Sequence, residues 1–218
     1  MKRIAYLLAF LFPTFLNSTV LAEENDGNFY LTVGSGYQFP QTTTIKAPVS
    51  GTVYKLDYEW DASGIYGFGL GYDFGQWRLH GNYSKGTLHT DSIKLDGSEL
   101  AITVEDIDVT LFSLGGIYEF TKNASFTPFI GSGLSYQYGS DALASVQTGG
   151  ETTNFTITAD GIWAIQLSGG LAYEITKDIE IFAETGLAIP LSESDLPEGW
   201  SEESPTVSGF SFGLIYSF

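Results

Sequence analysis

"GFSFGLIYSF", residues 209–218, closes the sequence. Phe210, Phe212, Leu214, Tyr216 and Phe218 are large and apolar, with Ser211, Gly213, Ile215 and Ser217 between them. A strand sends successive side chains to opposite faces, so this spacing gives one bulky face and one mostly small face. The alternation runs to the last residue and ends on a bare phenylalanine.

The same period of two recurs along the chain. In "NFYLTVGSGYQF" (28–39), Phe29, Leu31, Val33, Tyr37 and Phe39 oppose Tyr30, Thr32, Gly34, Gly36 and Gln38. In "SGIYGFGLGYDF" (63–74), Tyr66, Phe68, Leu70, Tyr72 and Phe74 oppose Gly67, Gly69, Gly71 and Asp73. "WRLHGNYSK" (77–85), "DVTLFSLGGIYEF" (108–120), "FTPFIGSGLSYQY" (126–138), "GIWAIQLSGGLAYEI" (161–175) and "IEIFAETGLAI" (179–189) continue the pattern. With the terminal stretch that makes eight strands, each near the ~9–11 residues of a tilted membrane strand. Strands 2–3, 4–5 and 6–7 are joined by turns of a few residues, and the other connections take roughly 17–24 polar residues. Short turns at one end and long loops at the other is the layout of an outer-membrane barrel.

The face that lacks bulk decides which side is outside. It holds Gly, Ser, Ala, Asn and Gln with few ions, a poor solvated exterior but a good filling for an eight-strand interior. The bulky face then meets lipid, with Tyr and Trp near the strand ends. Closure leaves no unpaired strand edge, which hydrocarbon demands. The fold class expected is all-β: an eight-stranded, antiparallel, up-and-down transmembrane β-barrel with both termini in the periplasm.

The opening residues agree. "MKRIAYLLAFLFPTFLNSTVLAEEN" has Lys2 and Arg3, then an apolar run from Ile4 to Leu16, then Val20 and Ala22 before Glu23. This reads as a secretory signal over residues 1–22, followed by a barrel domain over 23–218. The run is short of the ~20 residues of a spanning helix, and Pro13 interrupts it. Without the signal, seven cations face 26 acids. Nucleic acid is a poor partner for that surface. No cysteine is present, so disulfides, thiol chemistry and Cys-based metal sites are excluded. Glycine takes 26 positions of 218, well above the usual ~7%. Most acids lie in the long connections, as in "DGSELAITVEDID" and "LSESDLPEGWSEES".

On the alternating aromatic end, the "PFIGSG" of strand five and the glycine-alternating strands, the chain resembles the opacity/OmpA-like small outer-membrane barrels. The resemblance implies the outer membrane of a Gram-negative-type cell. It also implies that Phe212, Leu214, Tyr216 and Phe218 form a signal read by the β-barrel assembly machinery. As lipid-facing residues, they need no further role to explain them. No periplasmic wall-binding domain is expected, because the sequence stops with its last strand.

The "GQ" turn fixes a register: Phe74 with Trp77, Asp73 with Arg78, Gly71 with His80, Gly69 with Asn82, Gly67 with Ser84. Arg78 is the one cation placed inside a strand. An interior ion network of Asp73, Arg78, Glu119, Glu174, Glu180 and Glu184 is expected. Glu174 and Glu180 lie opposite across the "TKD" turn, so a cation, Arg78 or Lys177, should join them. Such a network is a rigid polar core or a rearranging gate; a narrow interior favours the core.

Some barrels of this size, the lipid A deacylases, use a His and a Ser two apart on one face. Here His80 is followed two along by Asn82, and Ser84 lies roughly 13 Å off at the strand rise, too far for a proton relay. No catalytic, cofactor or metal site is expected. The leading functional expectation is a non-enzymatic surface protein, anchored in lipid and lipopolysaccharide, whose four long acidic extracellular loops stabilise the envelope or meet an unknown extracellular ligand. The alternative is a narrow porin-like channel for ions or small apolar molecules.

Overall fold

A computed structural model describes residues 27–49, 51–121, 125–148, 151–157, 161–191, 200–203 and 206–218. The expected leader lies outside these residues. In chain order the strands are β1 (Asn28–Pro40), β2 (Thr43–Val49), β3 (Thr52–Trp60), β4 (Ser63–Asp73), β5 (Trp77–Leu88), β6 (Thr90–Leu95), β7 (Ser98–Glu99) and β8 (Ile102–Val104). There follow β9 (Ile107–Glu119), β10 (Phe126–Gly139), β11 (Ala142–Thr148), β12 (Glu151–Ile157), β13 (Ile162–Thr176), β14 (Ile179–Pro190), β15 (Ser201–Glu203) and β16 (Val207–Ser217).

Eight of them close into a barrel in the order β1-β16-β14-β13-β10-β9-β5-β4. All its pairings are antiparallel, and the last strand closes on the first from Tyr30↔Ser217 to Pro40↔Val207. The terminal residue continues the seam: the Phe218 amide donates to the Phe29 carbonyl at 3.0 Å. The hairpin of β4 and β5 has the register read from the sequence, Asp73↔Arg78 through Gly67↔Ser84. Its turn needs Gly75, whose φ of 103° suits glycine.

The bulky face is outside. Phe29, Phe68, Leu114, Phe126, Leu171 and Phe212 are among many large apolar side chains left exposed. Apolar exposure on this scale marks a surface made for lipid rather than water. Aromatic contacts gather near the two ends of the wall. At the short-turn end, Tyr72 meets Phe74 and Phe29 at 4.6 and 4.9 Å, and Trp77 meets Tyr118 at 4.7 Å. Towards the long-connection end Tyr136 meets Trp163 at 5.1 Å, and midway up the wall Tyr83 meets Phe68 and Phe112 at 5.4 and 5.1 Å.

The long connections are not plain loops. They fold into a five-stranded sheet, β15-β2-β3-β6-β7, and a three-stranded one, β12-β11-β8. The five-stranded sheet has two chemically distinct faces. Ile45, Leu56 and Leu95 share one, while Thr44, Asp57 and Lys94 share the other. Ile107, Val109 and Ala142 form a small buried core, with Trp60, Leu88 and Val104 packed against it. That cluster stands on the upper ends of β5 and β9 and ties both sheets to the barrel.

Candidate functional site: a charged floor, a polar chamber and an outer sheet

The inward face of each barrel strand carries the small or polar set, so glycine leaves room opposite each larger neighbour. A β-carbon at Gly71 would collide with the Tyr30 ring, and one at Gly69 would meet His80 and Thr32. The larger groups sit low. Tyr30 is 1% exposed and stacks on His80 at 5.8 Å. Its hydroxyl lies 3.3 Å from His80 Nδ1 and 3.3 Å from the Leu79 carbonyl oxygen.

Below them is Arg78, 7% exposed. Its Nη2 lies 2.9 Å from Glu119 Oε1 and 2.8 Å from Glu180 Oε1, and its Nε lies 3.5 Å from Asp73 Oδ2. The guanidinium also sits 5.4 Å from the Tyr30 ring centre. Asp73 is fixed from the turn, accepting the Gly75 amide at 2.6 Å. These groups reach Arg78 from β4, β9 and β14, so one cation links three separate strands across the floor. A guanidinium serves this better than an ammonium, because its planar fork presents several donors at once.

Two of the acids named from the sequence stand apart. Glu184 faces inward higher up, accepting the Ser211 hydroxyl at 2.9 Å. Glu174 is in register with Glu180, but it is exposed and takes no part in the Arg78 cluster. The two are the last regular pair before the turn, the pairing slipping only beyond it, between Glu174 and Thr176. Lys177 does not bridge the two carboxylates; its ion pair is with Asp178 at 3.7 Å. The four terminal residues Phe212, Leu214, Tyr216 and Phe218 are all exposed on the outer face of β16.

Above the floor the lumen opens into a chamber of about 290 Å³. Asn82, Ser84, Ser113, Gln166 and Ser168 line it with hydroxyls and amides. The apolar cluster of Trp60, Leu88, Val104, Ile107, Val109 and Ala142 lies beyond its upper end. Of the histidines and serines weighed for catalysis, His80 is occupied with Tyr30, and the Ser84 hydroxyl accepts from Asn82 Nδ2 at 2.8 Å. His89 pairs with Asp106 at 2.7 Å on the exposed rim.

The outer five-stranded sheet holds a second set of charges. Lys94 Nζ lies 2.6 Å from both Glu59 oxygens, and Ser92 donates to Glu59 at 2.7 Å. Thr44 and Lys55 donate to Asp57 at 2.6 and 3.0 Å. The Thr44 hydroxyl, then Lys55, holds the Asp57 carboxyl below its ordinary range. Lys94, then Ser92, does the same for Glu59, and Glu59 in turn raises Lys94. This sheet was legible in two signals. Tyr54, Leu56, Tyr58 and Trp60 alternate with Val53, Lys55, Asp57 and Glu59. "DG" at 96–97 is the residue pair of a tight hairpin, and both residues have positive φ, 48° and 82°.

The sequence matches the family described as outer membrane protein beta-barrel domain over residues 8–218. No curated protein matches it. Among solved structures, the outer membrane protein OprG from Pseudomonas aeruginosa is similar, with TM-score 0.56 and 16% identity over 88% of this chain and 96% of that one. Neisserial surface protein A is similar with TM-score 0.50 and 16% identity over 89% of this chain and 100% of that one. The outer membrane protease OmpT from Escherichia coli also matches, with TM-score 0.47 and 9% identity over 90% of this chain and all of that one. At these identities the likeness is one of fold.

Proposed function

The chain belongs to the outer membrane protein beta-barrel domain family, and on that premise we propose that it is a non-enzymatic surface protein. The barrel is the anchor, and the two sheets built from the long connections are its working part on the cell exterior. The membership puts it in the outer membrane of a Gram-negative-type cell. The proposal includes export by the N-terminal leader and assembly through the outward residues of β16. Lipopolysaccharide is the lipid partner of the outer face.

One observation carries this reading: side chains fill the lumen at its floor, and the chain beyond the barrel is spent on structure. Arg78 and three carboxylates occupy the width of the floor. A wall of eight strands leaves little room beyond its own side chains. The connections, in contrast, pack Trp60, Val104 and Ala142 against Leu88, Ile107 and Val109 at the upper ends of β5 and β9, and order a sheet with one apolar and one charged face. Unstructured tethers would need neither.

The channel reading draws on the chamber of about 290 Å³, which a small solute would fit. The charged floor counts against passage. The test is a barrel in which residues 43–60 are replaced by a short turn. It should still fold, shown by a heat-shifted gel band, while cells bearing it lose adhesion to epithelial monolayers or resistance to bile salts. Full retention of both would overturn the surface reading.

A further inference from the structure

One hairpin of the outer sheet ends in apolar residues that neither the barrel nor the sheet covers. "KAPVSGTVYK" (46–55) joins β2 to β3 and turns at Gly51, whose φ is 85°. Val53 is 60% exposed, more than any other described large apolar residue of the outer sheets, and Tyr54 is 38% exposed. Pro48 is exposed as well. No acid occurs between Asp26 and Asp57, in a chain whose acids far outnumber its cations. Lys46 and Lys55 bracket the tip. The β6–β7 hairpin of the same sheet has the opposite chemistry: it turns at Asp96 and Gly97, and Glu99 follows.

The strand register sorts these residues into layers. Pro48 pairs with Val53 and Lys46 with Lys55, and the two pairs share one face. Thr44 and Asp57 come next on that face, behind the lysines. Same-face neighbours along a strand are roughly 7 Å apart. An apolar step therefore comes first, two lysines follow roughly 7 Å behind it, and the first acid lies behind them. Tyr54 pairs with Ala47 on the opposite face, between the two layers. An amphipathic element at a bilayer surface buries its apolar part about 5–10 Å deep, with lysine at the headgroup phosphates and tyrosine at the boundary. Lys55 bonds Asp57 at 3.0 Å but keeps 51% of its side chain exposed, and its long stem lets the ammonium follow the headgroups.

We propose that this hairpin tip inserts into the membrane of a contacted cell, with Pro48 and Val53 in the acyl boundary and Lys46 and Lys55 at lipid phosphates. The inference rests on the surface reading above and names what that surface meets. Trp60 belongs to the apolar cluster at the barrel's upper rim, and β3 carries the chain roughly 26 Å from it to Thr52. A protein partner fits less well. Stable protein interfaces bury about 800 Å² on each side, far more than two residue pairs at a turn present. A bilayer needs no matching shape. The positive tip suits lipid phosphates, while Asp57 and Glu59 behind it keep the rest of that face off the bilayer.

The chain has no cysteine, so a single introduced one can carry a label. The experiment holds the full mature chain, with Val53→Cys bearing an environment-sensitive fluorophore, in phosphatidylcholine nanodiscs. Vesicles of phosphatidylcholine with phosphatidylglycerol are then added. Emission should brighten and shift to the blue, and spin-labelled lipid in the vesicles should quench it. The same fluorophore on Ser98→Cys, in the acidic hairpin, should keep its emission in water. Lys46→Gln with Lys55→Gln should raise the vesicle concentration needed, and added salt should do the same to the protein with both lysines. Without a label, Val53→Glu should abolish co-flotation with the vesicles and leave the heat-shifted band unchanged. A label on residue 53 that ignores the vesicles would overturn the proposal. So would quenching only by spin-labelled lipid placed in the nanodisc, which would put the tip in the protein's own membrane. Neither result touches the surface reading, which stands or falls with the replacement of residues 43–60.

Discussion

Arg78 and Lys94 each hold carboxylates at under 3 Å, yet the two ion pairs live in different solvents. Arg78 and Glu119 are 7% and 4% exposed at the floor of the barrel. Lys94 and Glu59 are 32% and 33% exposed on the outer sheet. In the floor, every charge depends on its partners, because water is not there to replace them. On the sheet, water and salt share the work, and the pair orients a surface more than it stabilises one. The comparison separates a region built to stay shut from a region built to meet something.

The largest effect should come from breaking the floor. Arg78→Ala leaves Asp73, Glu119 and Glu180 facing one another, and removing one partner of a buried pair costs about 3–5 kcal/mol. Urea unfolding in lipid vesicles, followed by tryptophan fluorescence, should show a loss of that size. A loss near zero would mean that the floor is wet and that the contrast with the sheet is false. Next is the wall. Gly133 and Gly115 face each other in register, and a β-carbon at Gly133 would come within 2.6 Å of the Leu114 carbonyl. Gly133→Val should cost about 1–3 kcal/mol by overpacking, measured the same way.

The apolar cluster above the chamber is the hinge of the comparison. Trp60→Ala removes its largest member and a hydrogen bond to Thr43 of 3.1 Å. Trp60 is only partly buried, so about half of the ~3–5 kcal/mol typical of a core aromatic is expected. That loss should appear as faster cleavage of the outer sheets by added protease, with the heat-shifted band of the barrel unchanged. If the barrel weakens too, the two regions are one cooperative unit.

The smallest effects belong to the outer charges. Lys94→Ala should leave the barrel's unfolding midpoint in place and change only local protection of β3 and β6, with less effect at high salt. The pH dependence follows from the depressed carboxyls. Asp57 and Glu59 bind protons less readily in the fold than in the unfolded chain. Their contribution is therefore present above the ordinary carboxylate range and lost as pH falls through it and below. Pepsin should cut the outer sheets more readily as the medium is acidified through that range. Cleavage independent of pH would show that these pairs do not hold the sheet.

Much of this was written in the sequence, and the reasons differ by region. In the wall, alternation is strict because lipid lies on one side and a narrow lumen on the other. Phe68 and Gly69 could hardly exchange places. Even the Asp73–Arg78 register followed from a two-residue turn. At the turn after β13 the pattern also put Glu174 opposite Glu180, where it is, but could not show that Glu174 would stay exposed and outside the Arg78 cluster. The outer sheets were harder to see. Their strands are short, and polar residues such as Thr44 and Asp57 sit where burial would ordinarily call for apolar ones, satisfied by each other at 2.6 Å. Tyr30 and Gln38 were placed on the inward face without any sign of what they would do there. Which groups meet across a barrel depends on strands far apart in sequence: Arg78 and Glu180 are 102 residues apart.

The central claim is that the barrel is a closed anchor. Conductance of the refolded mature chain in a planar bilayer, with folding confirmed by a heat-shifted band, tests it most directly. A silent membrane is predicted for the unmodified protein. Defined, reproducible conductance steps that change with Arg78→Ala would contradict the claim and move the function from the outer sheets into the lumen.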